Sequence, residues 1–255
     1  MYRFMLSRQW VALTLVTLLL IPAMIRLGFW QLHRHESRVA RNTLIGQSLT
    51  AGPVPFETLS GAPGSTVPGG LTWRTVTSTG SYDTAHEFVV RQRTDSGGHA
   101  IGYFVITPLS LSNGRGDVLV NRGWVSPGPD ATSYPQVPAA PAGEVTVTGR
   151  LRADETSAGS GIRERGGLPD RQFMLINAAQ QAGITGRPVL GGYLELAATS
   201  PDPGPQSQAQ LLPAPNHTEI GPHLAYAIQW WLFGALLPVG LWVLVRREAR
   251  DARTA

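Results

Sequence analysis

The sequence has 255 residues and contains neither cysteine nor lysine. A chain without cysteine forms no disulfide bond, no thiolate nucleophile, no cysteine-ligated zinc site and no iron–sulfur cluster. A chain without lysine has no Walker P-loop, no Schiff-base chemistry and no Ser–Lys dyad, because each needs an amine that arginine does not supply. These two absences exclude several large classes of enzyme and cofactor site.

The common catalytic motifs are missing as well. None of the six histidines belongs to an HExxH motif, and the HRHE sequence at 33–36 has the wrong spacing for a zinc protease. The chain has no GxSxG motif and no GxGxxG motif, and its acidic residues are too scattered to predict a catalytic pair. We therefore expect a protein that is not an enzyme. An anchored extracytoplasmic hydrolase is the alternative, and it would need a nucleophile and a base in a buried polar pocket.

The positive charge lies at the ends of the chain. The formal net charge is +4, but residues 46–222 hold 11 arginines against 14 acidic residues, which gives this part a net charge of −3. A nucleic-acid groove needs its cations clustered on the folded part of the chain. The sequence therefore excludes nucleic acid as an expected partner.

Two long apolar segments lie near the ends of the chain. Residues 11–25 carry no charge, and residues 225–245 are 21 uncharged residues that would extend roughly 32 Å as a helix, which matches a bilayer core. We interpret both as transmembrane helices, at 10–30 and 223–245. The alternatives are a cleavable signal peptide, for which no A-x-A-like site follows Ile25, and a buried helix of a soluble protein.

Arginine counts predict the orientation of these helices. No lysine or arginine lies between Arg187 and Arg246, whereas four arginines occur from Arg246 to Arg253. Such residues collect on the cytoplasmic side of a membrane. We therefore expect a plasma-membrane protein with five segments: a cytoplasmic N-terminus (1–9), a first span (10–30), an extracytoplasmic β-rich domain with loops (31–222), a second span (223–245) and a basic cytoplasmic tail (246–255).

The middle of the chain is typical of strands and turns. Six runs rich in β-branched and aromatic residues are separated by Gly, Pro, Asn and Asp, at 71–82, 86–93, 100–111, 117–125, 144–153 and 187–197. They predict a mostly-β, α+β domain with an antiparallel sheet or a barrel-like shape, one short helix at 174–182, and loops or tethers at 60–70, 126–143 and 200–215.

Aromatic, basic and histidine side chains gather where both apolar segments reach the outer membrane border. Trp30 and Arg34 would share one helix face, and His223, Tyr226 and Trp230 another, so the two clusters are expected at one depth. Such residues also gather at lipid headgroups without any further role. The functional alternative is a haem with His223 as axial ligand, aromatic rings beside the porphyrin and arginine near the propionates.

Several motifs, taken in order, resemble the surfeit locus protein 1 family. They are LGFWQLHR (27–34), WRTV followed by GSYD (73–83), GYFVITPL (102–109), VLVNRGWV (118–125), VTGRLR (147–152) and HLAYAIQWW (223–231). The resemblance covers nearly the full length. It implies a two-span membrane protein with its large domain on the outer face that assists cytochrome c oxidase assembly.

The resemblance also implies a cofactor, partners and site residues. It implies transient haem a binding at His223, with Tyr226 and Trp230 beside it, and delivery of haem a to the catalytic subunit of the oxidase. The expected partners are that subunit, haem a synthase and the lipid bilayer. The family motifs place structural or partner contacts at Trp30, Gln31, Arg34, Arg122, Gly123 and Trp124.

Two alternatives remain open at this point. The protein is either a haem a carrier or a stable accessory or adaptor subunit of the oxidase or its supercomplex that does not touch haem. Many relatives carry asparagine-rich sequence immediately before the histidine, whereas Gly221 and Pro222 precede it here. Within NRGW, Gly123 predicts a β-bulge that turns Trp124 either toward a partner or into the core of the domain.

Overall fold

The computed structural model of the chain describes residues 3–130 and 132–254 and divides them into two compact units. The first unit contains the chain ends, up to Thr43 and from Asn216, and the second is Leu44–Pro215. Met1, Tyr2 and Ala255, which belong to the predicted cytoplasmic segments, lie outside the described residues.

Two long helices form most of the first unit. Helix α1 is Arg8–Thr50, of which the residues up to Thr43 belong to this unit, and helix α5 is His223–Thr254. By length and composition both can cross a membrane, since their most apolar windows have mean hydropathies of 2.1 and 1.8 and few buried residues. Helix α1 continues as a helix well past the predicted span and ends just before Gly52 and Pro53, which disfavour helix.

The second unit is a mixed α+β sheet domain. Its strands are β1 (Val54–Pro55), β2 (Thr75–Tyr82), β3 (Phe88–Thr94), β4 (Ile101–Leu111), β5 (Asp117–Val125), β6 (Glu144–Arg152), β7 (Gln172–Phe173) and β8 (Val189–Ser200). Its helices are α2 (Phe56–Ser60), α3 (Ser157–Ser160) and α4 (Ala178–Thr185). The six predicted strands are confirmed, and the predicted helix at 174–182 begins four residues later, where the Asn177 side chain caps it.

The strand order is β1-β2-β6-β8-β5-β4-β3-β7. The expectation of an antiparallel sheet is wrong at three pairings, because β1–β2, β5–β8 and β3–β7 are parallel. Strand β2 also pairs with β4, where Gly80 is essential because a Cβ there would lie 2.1 Å from the Ser110 carbonyl oxygen. The barrel-like shape stays a prediction.

The core of the domain contains two large groups of buried apolar side chains. The group around β2, β6 and β8 includes Phe56, Val76, Leu109, Val147, Leu151 and Leu194, and the group around β3 and α4 includes Phe88, Ile106, Leu119 and Ile176. Burial of such side chains is the main favourable contribution to folding. The segment at 200–215, predicted as a loop or tether, is held on the domain by Arg122 and Arg150, which donate to the carbonyl oxygens of Ser207 and Leu212.

Candidate functional site

The candidate site lies where α1 and α5 run antiparallel in the first unit. Gly28 faces Trp231 so closely that a Cβ on Gly28 would lie 2.1 Å from the indole nitrogen. The ring of Phe29 meets the same indole edge-on, with ring centroids 5.5 Å apart. Further along the pair, a Cβ on Gly234 would lie 3.6 Å from the Met24 Cβ. Small residues let two helices approach closely, and here they bring the predicted border segments together.

His223 is the first residue of α5 and is half-buried. Its Nδ1 lies 3.0 Å from Oε1 of Gln31 on α1. Because the amide oxygen only accepts, Nδ1 carries the proton and donates, and in the neutral ring the lone pair is therefore on Nε2. Metal-binding histidines are usually oriented through a hydrogen bond of this kind from the nitrogen that does not bind the metal.

Gly221 lies beside the other edge of the imidazole. Its φ is +69°, and a Cβ added there would stand 3.5 Å from both Cδ2 and Nε2 of His223. Glycine tolerates this left-handed backbone, and it leaves the space next to Nε2 without a side chain. The residue before Pro222 therefore adds no side chain at the Nε2 edge of the His223 ring.

Tyr226 and Trp230 follow His223 on the same face of α5. Tyr226 is 46% exposed, and Trp230 is half-buried and meets Phe233 edge-on with ring centroids 6.3 Å apart. The structure therefore brings His223 and Gln31 into direct contact and places two aromatic rings along the next two turns of α5.

Trp30 and Arg34 form a second pair on α1. The Arg34 guanidinium carbon stands 5.6 Å from the centroid of the Trp30 ring, and Trp30 is 52% exposed. The predicted sharing of one helix face by these two residues is confirmed. Their exposure leaves them available to a headgroup, a propionate or another protein.

Arg122 lies inside the β domain. It is 2% exposed, and its Nη1 donates to Oε2 of Glu87 at 3.0 Å. Its Nη2 donates to carbonyl oxygens of two loops, at Pro138, Ala139 and Ser207. A buried guanidinium with a carboxylate partner and three carbonyl acceptors fixes those loops against the sheet.

Gly123 and Trp124 complete the NRGW segment. The register between β4 and β5 shifts at Arg122, so the predicted β-bulge is confirmed, and a Cβ on Gly123 would lie 2.5 Å from the Gln210 carbonyl oxygen. Trp124 is half-buried, and its indole nitrogen donates to the Arg93 carbonyl oxygen at 2.9 Å. All three residues thus make contacts inside the domain.

Sequence reasoning included Gln31 among the contact residues but did not assign it to His223. The available signal was spacing: Thr17, Met24 and Gln31 are seven residues apart and so lie on one face of α1. The role of Gly221 at the imidazole edge had no signal in the sequence pattern, because it depends on the backbone conformation before α5.

The sequence was compared with family models and with known proteins, and both comparisons found similar proteins. The model of the SURF1 family matches residues 18–235, a range that includes Gln31, Arg122 and His223. The chain is 36% identical over 256 aligned positions to uncharacterized SURF1-like proteins of Mycobacterium bovis and Mycobacterium tuberculosis. Each alignment covers 98% of this chain and 88% of the relative.

Proposed function

The chain belongs to the SURF1 family, and we propose that it is a membrane-bound assembly factor that holds haem a at His223 for a cytochrome c oxidase. The observation that carries this proposal is the hydrogen bond from His223 Nδ1 to Gln31 Oε1, because in the neutral ring it leaves Nε2 as the nitrogen that would bind a haem iron. The role is non-enzymatic, since it consists of binding, orienting and releasing a prosthetic group.

Both long helices cross the plasma membrane in this proposal. Their mean hydropathies and lengths support two spans, and the arginines from Arg246 onward support a cytoplasmic C-terminus. With two spans the N-terminus is also cytoplasmic and the β domain is extracytoplasmic. His223, at the start of α5, then lies at the outer border of the membrane.

The residues around His223 suit an amphiphilic porphyrin. Tyr226 and Trp230 offer aromatic surface along α5, and Arg34 is an exposed cation for a propionate. When bound, haem a supplies an iron that accepts the imidazole lone pair. The protein contributes the imidazole, whose Nδ1 proton Gln31 accepts in a hydrogen bond, and the aromatic rings of Tyr226 and Trp230. A carrier needs only modest affinity so that it can release its cargo.

The cargo has a donor and an acceptor. Haem a synthase is the proposed source, and the catalytic subunit of the oxidase is the proposed recipient. The exposed Trp30 is the proposed contact for that subunit, because aromatic residues are enriched at protein interfaces.

The test is deletion of the gene followed by complementation. We expect membranes of the deletion strain to lose most of their haem a and oxidase activity, the wild-type gene to restore both, and His223→Ala to be inserted in the membrane without restoring them. Unchanged oxidase in the deletion strain would reject the assembly role. Full restoration by His223→Ala would reject haem handling and favour a stable adaptor or accessory subunit.

A further inference from the structure

A second feature of the helix pair lies deeper along the same face as His223. A cleft of about 380 Å³ opens between α1 and α5, with an almost entirely apolar lining. Its walls include Thr17 and Met24 on α1, and Phe233, Leu237, Gly240 and Leu244 on α5.

The cleft is in line with the candidate site on both helices. On α5, residues 223, 226, 230, 233, 237, 240 and 244 recur every three or four positions, so they form one continuous stripe from the imidazole to the end of the cleft. On α1, Thr17 and Met24 in the cleft wall and Gln31 at the imidazole are each two helical turns apart. The pair Trp230–Phe233 joins the two regions, since their rings meet edge-on.

The distance between the two regions also follows from the helix. Phe233 is ten residues from His223 and Leu244 is twenty-one, so the cleft lies about 15 to 32 Å along the axis of α5 at 1.5 Å per residue. It therefore begins beyond the reach of a porphyrin ring held at His223. It lies within the apolar layer, where only a flexible hydrocarbon chain attached to the ring would extend.

We propose that this cleft binds the isoprenoid tail of a farnesylated haem whose iron is held by His223. The inference rests on the proposed function, since it takes His223 as the ligand of the iron. The cleft then makes the protein selective for haems that carry the tail, because haem b has none. Ligand recognition is divided between one imidazole at the membrane border and one apolar cleft within the membrane.

Gly240 offers a direct way to fill the cleft. A Cβ at Gly240 would have no atom within 4 Å, so a larger side chain enters the cleft from a position that is open at its base. Val239 is the matched control, because it is adjacent on α5, is 54% exposed and does not line the cleft.

The experiment compares haem b with haem o, which differs from haem b only by the hydroxyethylfarnesyl group. Both are titrated into the full-length wild-type protein, Gly240→Phe, Gly240→Leu and Val239→Phe in the same detergent, with the Soret band as readout. We expect the wild type and Val239→Phe to bind haem o about tenfold more tightly than haem b, a difference of about 1.4 kcal/mol. Gly240→Phe and Gly240→Leu are expected to bind both haems with the haem b affinity.

The outcomes separate the tail site from the proposed function. Equal affinities of the wild type for the two haems, or a haem o preference that survives in both Gly240 variants, would overturn the tail site and assign the cleft to a lipid acyl chain or a partner helix. The haem b affinity of each variant serves as its own test of folding. If the wild type binds neither haem, the proposed function itself fails.

Discussion

Gln31 Oε1 accepts a hydrogen bond from His223 Nδ1 at 3.0 Å, which joins helices α1 and α5. The bond joins residues 192 positions apart and fixes the ring so that Nε2 is the available nitrogen. A family motif on α1 and the histidine of α5 are therefore parts of one site.

Replacing Gln31 with leucine should weaken haem binding while His223 stays in place. Loss of a hydrogen-bonding partner behind a metal ligand costs about 10- to 100-fold in metal affinity, because the ligand loses its fixed tautomer and orientation. We expect that loss for Gln31→Leu in a haem titration of the purified protein. Gln31→Glu retains an acceptor and should keep most of the affinity. Equal affinity in Gln31→Leu and the wild type would mean that the bond does not position the ligand.

Gly221→Ala should hinder access to the iron-binding nitrogen. The new methyl group would lie about 3.5 Å from Nε2 of His223, on a backbone with φ of +69°. Gly186→Ala is the matched control, with φ of +67° and no atom within 4 Å, so it has the same backbone cost of about 1 kcal/mol without a ligand nearby. We expect haem affinity to fall only in Gly221→Ala. A similar decrease in both would assign the effect to backbone strain.

The strands could be predicted because each is a run of β-branched and aromatic residues between turn residues. Their pairing could not. Strand β5 lies parallel to β8, and β6, α3, β7 and α4 occur between them in the chain, so the pairing depends on packing of the whole domain. The continuation of α1 to Thr50 does not follow from hydropathy, because hydropathy indicates only the part of the helix that is apolar enough to span a membrane. The helix ends before Gly52 and Pro53, which disfavour helix.

The sequence pattern proposes the residues of the candidate site, but it does not predict the contacts between them. The positions of His223, Tyr226 and Trp230 follow from helical spacing, and the sharing of a face by Trp30 and Arg34 does too. The axial register of α1 against α5 is set by the close contact of Gly28 with Trp231, which the sequence pattern does not contain. The cleft depends on the same register.

Arg122→Met should destabilise the β domain strongly. The change removes the Arg122 guanidinium, the nearer of the two that contact the buried Glu87 carboxylate. Thr107 Oγ1 and, at 3.9 Å, the Arg171 guanidinium remain beside that carboxylate. The change also leaves three loop carbonyls without their donor. Breaking such a pair costs about 3–5 kcal/mol, whereas a surface control, Arg115→Met, should stay within about 0.5 kcal/mol. Urea unfolding of the full-length protein measures both. Removing the carboxylate as well, in Glu87→Gln with Arg122→Met, should restore part of the loss, and equal stabilities of Arg122→Met and Arg115→Met would refute the account.

The domain should lose stability in alkali partly through Tyr82. Burial raises the pKa of Tyr82 from 10.0 to about 12, against the opposing effect of the Arg122 guanidinium. As pH rises, the phenol ionises in the unfolded chain before it ionises in the folded domain. The contribution of the neutral phenol to the free energy of unfolding is therefore complete below pH 10 and is lost as pH rises toward about 12. Tyr82→Phe should therefore show a smaller alkaline loss of unfolding free energy than the wild type. Parallel curves for the two proteins would disagree with this assignment.

The central claim, that His223 is a haem ligand, is tested most directly by a visible spectrum. The full-length protein and His223→Ala are produced in cells that make haem a, purified in the same detergent and compared at equal concentration. We predict a Soret band that copurifies with the wild-type protein and is absent from His223→Ala. A band of equal height in both proteins, or in neither, would contradict the claim.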